Sequence, residues 1–201
     1  MTLRNITCAV TLCLLTLSGQ AVGKTEVPPY KNKSLSIEKR VDDLMGRMTL
    51  REKVLQLQNR GAGRLDEIDR IFNGESYGCT HEMGTTAAEC AAMYKELQQY
   101  MLTKTRLGIP IITSAEGIQG ILQNNCTLFP HALAQGSTFN PALIQRMTEA
   151  AGEEAKVIGI HQILSPVLDI ARELRWGRVE ETFGEDPYLI SERTRRFFSS
   201  A

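Results

Sequence analysis

Thr105 to Gly120 reads "TRLGIPIITSAEGIQG", and this stretch decides the fold of the 201-residue chain. A helical pattern, "TTAAECAAMYKELQQYMLTKTRLG", ends at Gly108 after basic residues, as helices commonly do. "IPIITS" follows at once, a short β-branched apolar run bounded by turn signals, which predicts a buried strand. Glu116 is then expected just after the strand, in a glycine-flanked turn. Helix, glycine, strand and polar turn together are the grammar of a parallel α/β protein.

The same grammar repeats downstream. "FNPALIQRMTEAAGEEAKVIGI" predicts a helix with Asn140 as N-cap, Pro141 in its first turn and Gly159 at its end. "HQILSPVLDI" reads as a strand leading into a loop, and "GEDPYLISERTRRFFSSA" restarts a helix. Upstream, Ile37, Val41, Leu44, Met45 and Met48 fall on one helical face. Thr49-Leu50-Arg51-Glu52 has capping-box form and opens a helix with Val54, Leu55 and Leu57 as apolar positions. Gly61 to Gly84 is rich in glycine and charge and reads mostly as loop, with a short element around Ile68 to Phe72. About three helix-strand units are visible, whereas a complete (β/α)8 barrel takes roughly 250 residues. The expected fold is therefore α/β, a partial (β/α)8 TIM-type barrel, truncated before completion.

Composition narrows the function classes. Lysine plus arginine balance aspartate plus glutamate at 23 each, so nothing in the charge favours nucleic acid as a partner. The N-terminus has Arg4, an apolar run from Ile6 to Leu17, then Ala21 and Gly23 ahead of Lys24. That is the pattern of a secretory signal, and the run is short of the roughly 20 residues that span a bilayer. The expected organisation is a signal peptide over 1–23, a polar, proline-bearing leader over 24–35, and an incomplete barrel domain over 36–201. The product is expected to be secreted or periplasmic, with no membrane span once the signal is removed. Beyond the signal's Cys8 and Cys13 stand Cys79, Cys90 and Cys126, which allow at most one internal disulfide. Their spacings fit no zinc pattern, the three histidines stand apart, and no metal or cofactor is implied.

Chemistry in parallel α/β proteins gathers where strands end. Glu116 stands at one such place and could accept hydrogen bonds from hydroxyls, or serve as a loop carboxylate. Asp169, Arg172, Glu173, Arg175, Trp176 and Arg178 stand at another, with arginine forks suited to vicinal hydroxyls or to stapling the loop. "RWGRVEETFGEDPYL" adds four carboxylates. Glu180 and Glu181 are adjacent and so point in different directions. Glu185-Asp186-Pro187 resembles a helix start, with Asp186 able to cap. A retaining glycosidase needs its two carboxyl groups about 5–5.5 Å apart across the sugar. None of these pairs is positioned by sequence for that role.

"TRLGIPIITSAEGIQG", "TLFPHALAQGSTFN" and "GIHQILSPVLDIARELRWGRVEETFGEDPYL" resemble, in that order, the barrel domain of glycoside hydrolase family 3. "VDDLMGRMTLREKVLQL" resembles that family's entry helices, so the resemblance runs from about Ser36 to the C-terminus. It is strongest toward the β-glucosidase and β-xylosidase branches; an N-acetylhexosaminidase branch depends on motifs beyond the end. The family implies hydrolysis of terminal non-reducing β-linked sugars, with retention through a covalent glycosyl-enzyme. By position, Glu116 matches the carboxylate that holds hydroxyls of that sugar. Arg172 matches the arginine opening the family's Arg-Asp-Pro-Arg-Trp-Gly-Arg motif, and Arg178 the arginine ending it, with loop architecture as its first role.

Two positions depart from the family pattern. Arg172-Glu173-Leu174-Arg175 lacks the loop proline, and Gln119 stands where many members carry histidine. The family's Lys-His pair, aspartate nucleophile and acid/base have no counterpart in this chain. The resemblance thus implies no catalytic residue here, an inactive fragment when alone, and a missing C-terminal part of the same protein as its partner. A non-catalytic carbohydrate-binding relative is the other reading.

Overall fold

The computed structural model of the chain describes residues 27–81 and 86–198. The stretch expected to be a signal peptide, with Cys8 and Cys13, the first part of the expected leader, and Gly84 lie outside the described residues. The chain divides between Gly46 and Arg47 into two units.

In the first unit, a 3₁₀ turn at Pro29–Lys31 precedes α1 (Ile37–Arg47). Asp43 accepts from the Tyr30 N–H at 3.1 Å and Arg40 Nε donates to the Tyr30 carbonyl at 3.0 Å. The apolar stripe that the periodicity predicts for α1 is present but buries none of the helix's residues: Ile37, Val41 and Met45 stay exposed.

The second unit contains α2 (Leu50–Leu55), α3 (Ile68–Phe72), β1 (Cys79–His81), α4 (Ala87–Lys104) and β2 (Ile112–Glu116). After them come α5 (Ala132–Gly136), α6 (Pro141–Ile158), β3 (Gln162–Leu164) and α7 (Pro187–Phe198). The three strands form one parallel sheet in the order β1-β2-β3. This is an α/β fold with a parallel sheet.

Local chemistry sets the helix starts. Thr49 with Glu52, and Thr86 with Glu89, form complete capping boxes, and the Asn140 side chain accepts from the Leu143 N–H. Gly159 closes α6 in the left-handed region, at φ 91°. Asp186 Oδ1 accepts from the Tyr188 N–H at 2.8 Å, so it caps α7 as its sequence context suggests.

Four expectations need correction. Gly108 does not close α4; the helix stops at Thr105, which is extended. The strand predicted from Ile109 begins at Ile112, because Pro110 has no N–H for a ladder and Gly108 turns the chain at φ 61°. Glu116 is the last residue of β2, paired with Leu164, and does not lie in the turn beyond it. Leu57 lies past the end of α2 and is exposed, as is Val54, while Leu55 is buried. Two elements carry no sequence signal that we read, the three-residue β1 and the single-turn α5.

One face of the sheet is covered. Ala115 joins a core made by Cys90, Tyr94, Leu97 and Met101 of α4 with Ala155 and Ile158 of α6. A smaller core gathers Ala132, Ile144, Phe183 and Ile190. The period-2 alternation of strands puts Ile112, Ser114 and Glu116 on the opposite face. The register adds their partners Cys79, His81, Gln162 and Leu164 there. Ile112, Gln162 and Leu164 are exposed on that face.

Candidate active site

Three strands pointing the same way deliver His81, Glu116 and Leu164 to one end of the sheet. Gly117 lets the chain turn there. A β-carbon on it would run into Ile163 Cγ2 and lie 3.6 Å from Ser165 Cβ, so only glycine lets β2 pass β3 this closely. Glu116 is half-buried, and its Oε1 lies 4.0 Å from Nε2 of His81.

The loop after β3 is pinned at its base. Val167 bridges Thr182, and the Ala171 N–H donates to the Gly184 carbonyl at 3.0 Å. Thr182 is fully buried and its hydroxyl donates to the Val179 carbonyl. The excursion between carries the arginines. Arg175 and Glu173 pair with each other at the exposed tip, where Nε and Nη2 reach the two carboxylate oxygens at 2.9 and 2.7 Å. The Arg175 fork, with its backbone N–H, holds the Glu173 carboxyl at about 2. This pair is a contact within the loop itself.

Arg178 differs. Its Nε donates to Glu181 Oε2 at 2.9 Å, and this bond, then the Glu181 charge, raises the guanidinium above its ordinary value. The charges of Asp169 and Glu116 add to the same shift. Arg178 therefore feels the charges of Glu116 at the end of β2 and of Asp169 in the loop. Glu181 is lowered chiefly by its hydrogen bond from Arg178. Glu180, its neighbour, is exposed, as expected from adjacent residues pointing apart. Arg172 is exposed, and among the described residues its guanidinium has no hydrogen-bond or ion-pair partner.

Of the three residues singled out by sequence, Glu116 and Arg178 are thus electrostatically coupled, and Arg172 stands on the same loop with its donors available. His81 was missed. The histidines are far apart in sequence, and only the pairing of His81 with Ser114 sets one beside Glu116. A roomier cavity, about 530 Å³, lies between α6 and the β2 and β3 ends, lined by Ile118, Phe129, Met147 and Ala151 among others. None of Glu116, Arg172 and Arg178 lines it, though Gly117, next to Glu116, does. The arrangement suits neutral polyhydroxylated ligands: carboxylates to accept, arginine forks to donate, and an imidazole beside them.

A family profile described as "Glycosyl hydrolase family 3 N terminal domain" matches residues 49–200. The chain belongs to glycoside hydrolase family 3. It is 34% identical over 183 residues to a putative β-xylosidase of Formosa agariphila, covering 84% of this chain and 24% of that protein. It is also 34% identical over 183 residues to β-glucosidase C of Emericella nidulans, covering 83% of this chain and 30% of that protein. Among solved structures, a β-glucosidase from Erythrobacter marinus superposes with a TM-score of 0.69 at 29% identity, covering 86% of this chain and 24% of that one. This family 3 chain spans about a quarter to a third of the length of these two curated relatives. The resemblance read from the motifs in the sequence and the family membership agree.

Proposed function

We propose that this chain is part of a (β/α)8 barrel and that Glu116, Arg172 and Arg178 bind the terminal sugar of a β-glucoside or β-xyloside. The observation that carries the reading is the parallel register that brings Glu116 to the carboxyl end of the strands, at the end where the loop after the neighbouring β3 carries both arginines. The sheet face opposite the helices exposes Ile112 and Leu164, and in a closed barrel the face away from the helices is the interior. Two relatives, a putative β-xylosidase and a β-glucosidase, support this substrate class.

In that role Glu116 accepts from hydroxyls of the sugar while the arginines donate. Hydrolysis by retaining double displacement is proposed for a protein of the relatives' length, with nucleophile and acid/base supplied from outside these 201 residues. Export through a signal peptide over 1–23 fits the periplasmic β-glucosidase/β-xylosidase of Dickeya chrysanthemi, which is 29% identical over 194 residues.

The test is titration of D-glucose and D-xylose into the chain, alongside an aryl β-glucoside and an aryl β-xyloside. Sugar should bind without release of the aryl alcohol, and Arg172→Ala should weaken binding at least about tenfold, the worth of one charge-assisted hydrogen bond. Unchanged affinity in Arg172→Ala removes that residue from the site. Aryl release by the chain alone removes the placement of the nucleophile elsewhere.

A further inference from the structure

We propose that Cys90 and Cys126 join in a disulfide when the chain folds in an oxidising compartment, tying the loop that leaves the Glu116 end of β2 to the first turn of α4. The proposal is separate from the sugar-site reading and takes from the export reading only the compartment, where disulfides persist.

The geometry starts at Thr86, the N-cap of α4, which forms a parallel bridge with Asn124. The Ala87 N–H donates to the Asn124 carbonyl at 3.0 Å. Chains joined by such a bridge run about 5 Å apart, inside the roughly 4–7 Å between α-carbons that a disulfide spans. Cys90 lies one helical turn beyond the bridge, its N–H donating to the Thr86 carbonyl at 2.9 Å. On the other side Asn125 turns the chain at φ 74°, and the Cys126 N–H donates back to the Gln123 carbonyl at 3.0 Å. Both side chains enter one core: Cys90 is fully buried in it and Cys126 packs against it. The sulfurs are also within electrostatic reach, since burial raises the Cys126 thiol and the charges of Glu154 and Cys90 add to the shift. Cys79 is set apart by the sheet: it pairs with Ile112 in the ladder and lies on the face turned away from α4.

The oxidant is a small-molecule or protein disulfide, met during folding before the core encloses Cys90. One cysteine thiolate attacks it and expels a thiolate, and the other attacks the resulting mixed disulfide and expels the second. Two protein thiols lose two protons and two electrons, and the oxidant's disulfide becomes two thiols. Whatever else the two thiols contact, both protons leave and the sulfurs end bonded to each other.

The test unfolds and reduces the chain, then refolds it in a mixture of reduced and oxidised glutathione, with a second sample kept in urea throughout. Remaining thiols are alkylated and the chain is cut after glutamate, where Glu82 and Glu89 separate Cys79 from Cys90 for mass spectrometry. The refolded chain should yield a reducible pair joining the peptide of Cys90 to that of Cys126, with Cys79 left out of it, and Cys79→Ser should yield the same pair. The oxidised chain should unfold at a higher urea concentration than the chain kept in dithiothreitol, because the bond closes a loop in the unfolded state, and Cys126→Ser should lose that difference. Pairing of Cys90 or Cys126 with any other cysteine overturns the proposal. So does alkylation of both, or the same mixture of pairings as in urea. The sugar titration is read separately, so the sugar-site reading stands or falls without this result.

Discussion

Substituting Glu52 with glutamine should lower stability at neutral pH and do almost nothing at pH 2. Glu52 closes the capping box of α2, accepting from the Thr49 N–H at 2.8 Å. It also takes the Arg106 Nε at 2.8 Å, and Arg106 reaches on to the Arg47 carbonyl at 2.9 Å. These bonds, the one from Arg106 foremost, lower the Glu52 carboxyl from 4.5 to about 2. At about 1.4 kcal/mol per unit, the shift sets a ceiling of about 3 kcal/mol. Arg106 is more than half exposed, so solvent screening reduces the expected loss to about 1–2 kcal/mol. The sign follows from the depressed value. The contribution is complete above pH 4.5, where the carboxyl is ionised folded or unfolded. It fades as pH falls from 4.5 toward 2, where the folded state also takes up the proton. Urea unfolding of both proteins from pH 7 to pH 2 measures the gap directly. A gap that stays constant across that range, or is absent at pH 7, refutes the assignment.

Two further outcomes check the packing around the site. Arg193 is fully buried and donates to the Gln135 and Gly136 carbonyls at the end of α5, at 3.1 and 2.7 Å. Lysine cannot span two successive carbonyls with a planar fork, so Arg193→Lys should cost about 1–2 kcal/mol in urea unfolding, and an unchanged midpoint would show the fork is dispensable. Gly117→Ala should cost about 1–3 kcal/mol through the clash with Ile163 and weaken sugar binding by displacing Glu116; Ile163→Ala in the same chain should restore part of both.

What could be read from the residues was local in origin. The caps at Thr49, Thr86, Asn140 and Asp186 each join a side chain to a backbone group two or three residues on, so the sequence holds both partners side by side. The same holds for the Arg175–Glu173 and Arg178–Glu181 pairs, and for the amphipathic run of α6. The alternation of helix, glycine and apolar run was enough for a parallel α/β class, and the "RWGRVEETFGEDPYL" wording was enough for the family.

What was not legible depends on residues far apart along the chain. The three residues of β1 have too little pattern to read as a strand, and they are one because β2 supplies the ladder, with the Ile112 N–H donating to the Gly78 carbonyl. α1 shows the limit from the other side: its periodicity is plain, yet its apolar face stays exposed, because periodicity names a face and not what covers it. Glu116 was recognised as a candidate from sequence, but its place within β2, its register with Leu164 and the approach of His81 and Arg178 were not. The sequence by itself determined which helices start where and which family the chain resembles, since caps and motifs act over a few residues. The tertiary structure alone decided which charges meet, since strand register sets which side chains share a face, and register is a contact between segments more than thirty residues apart.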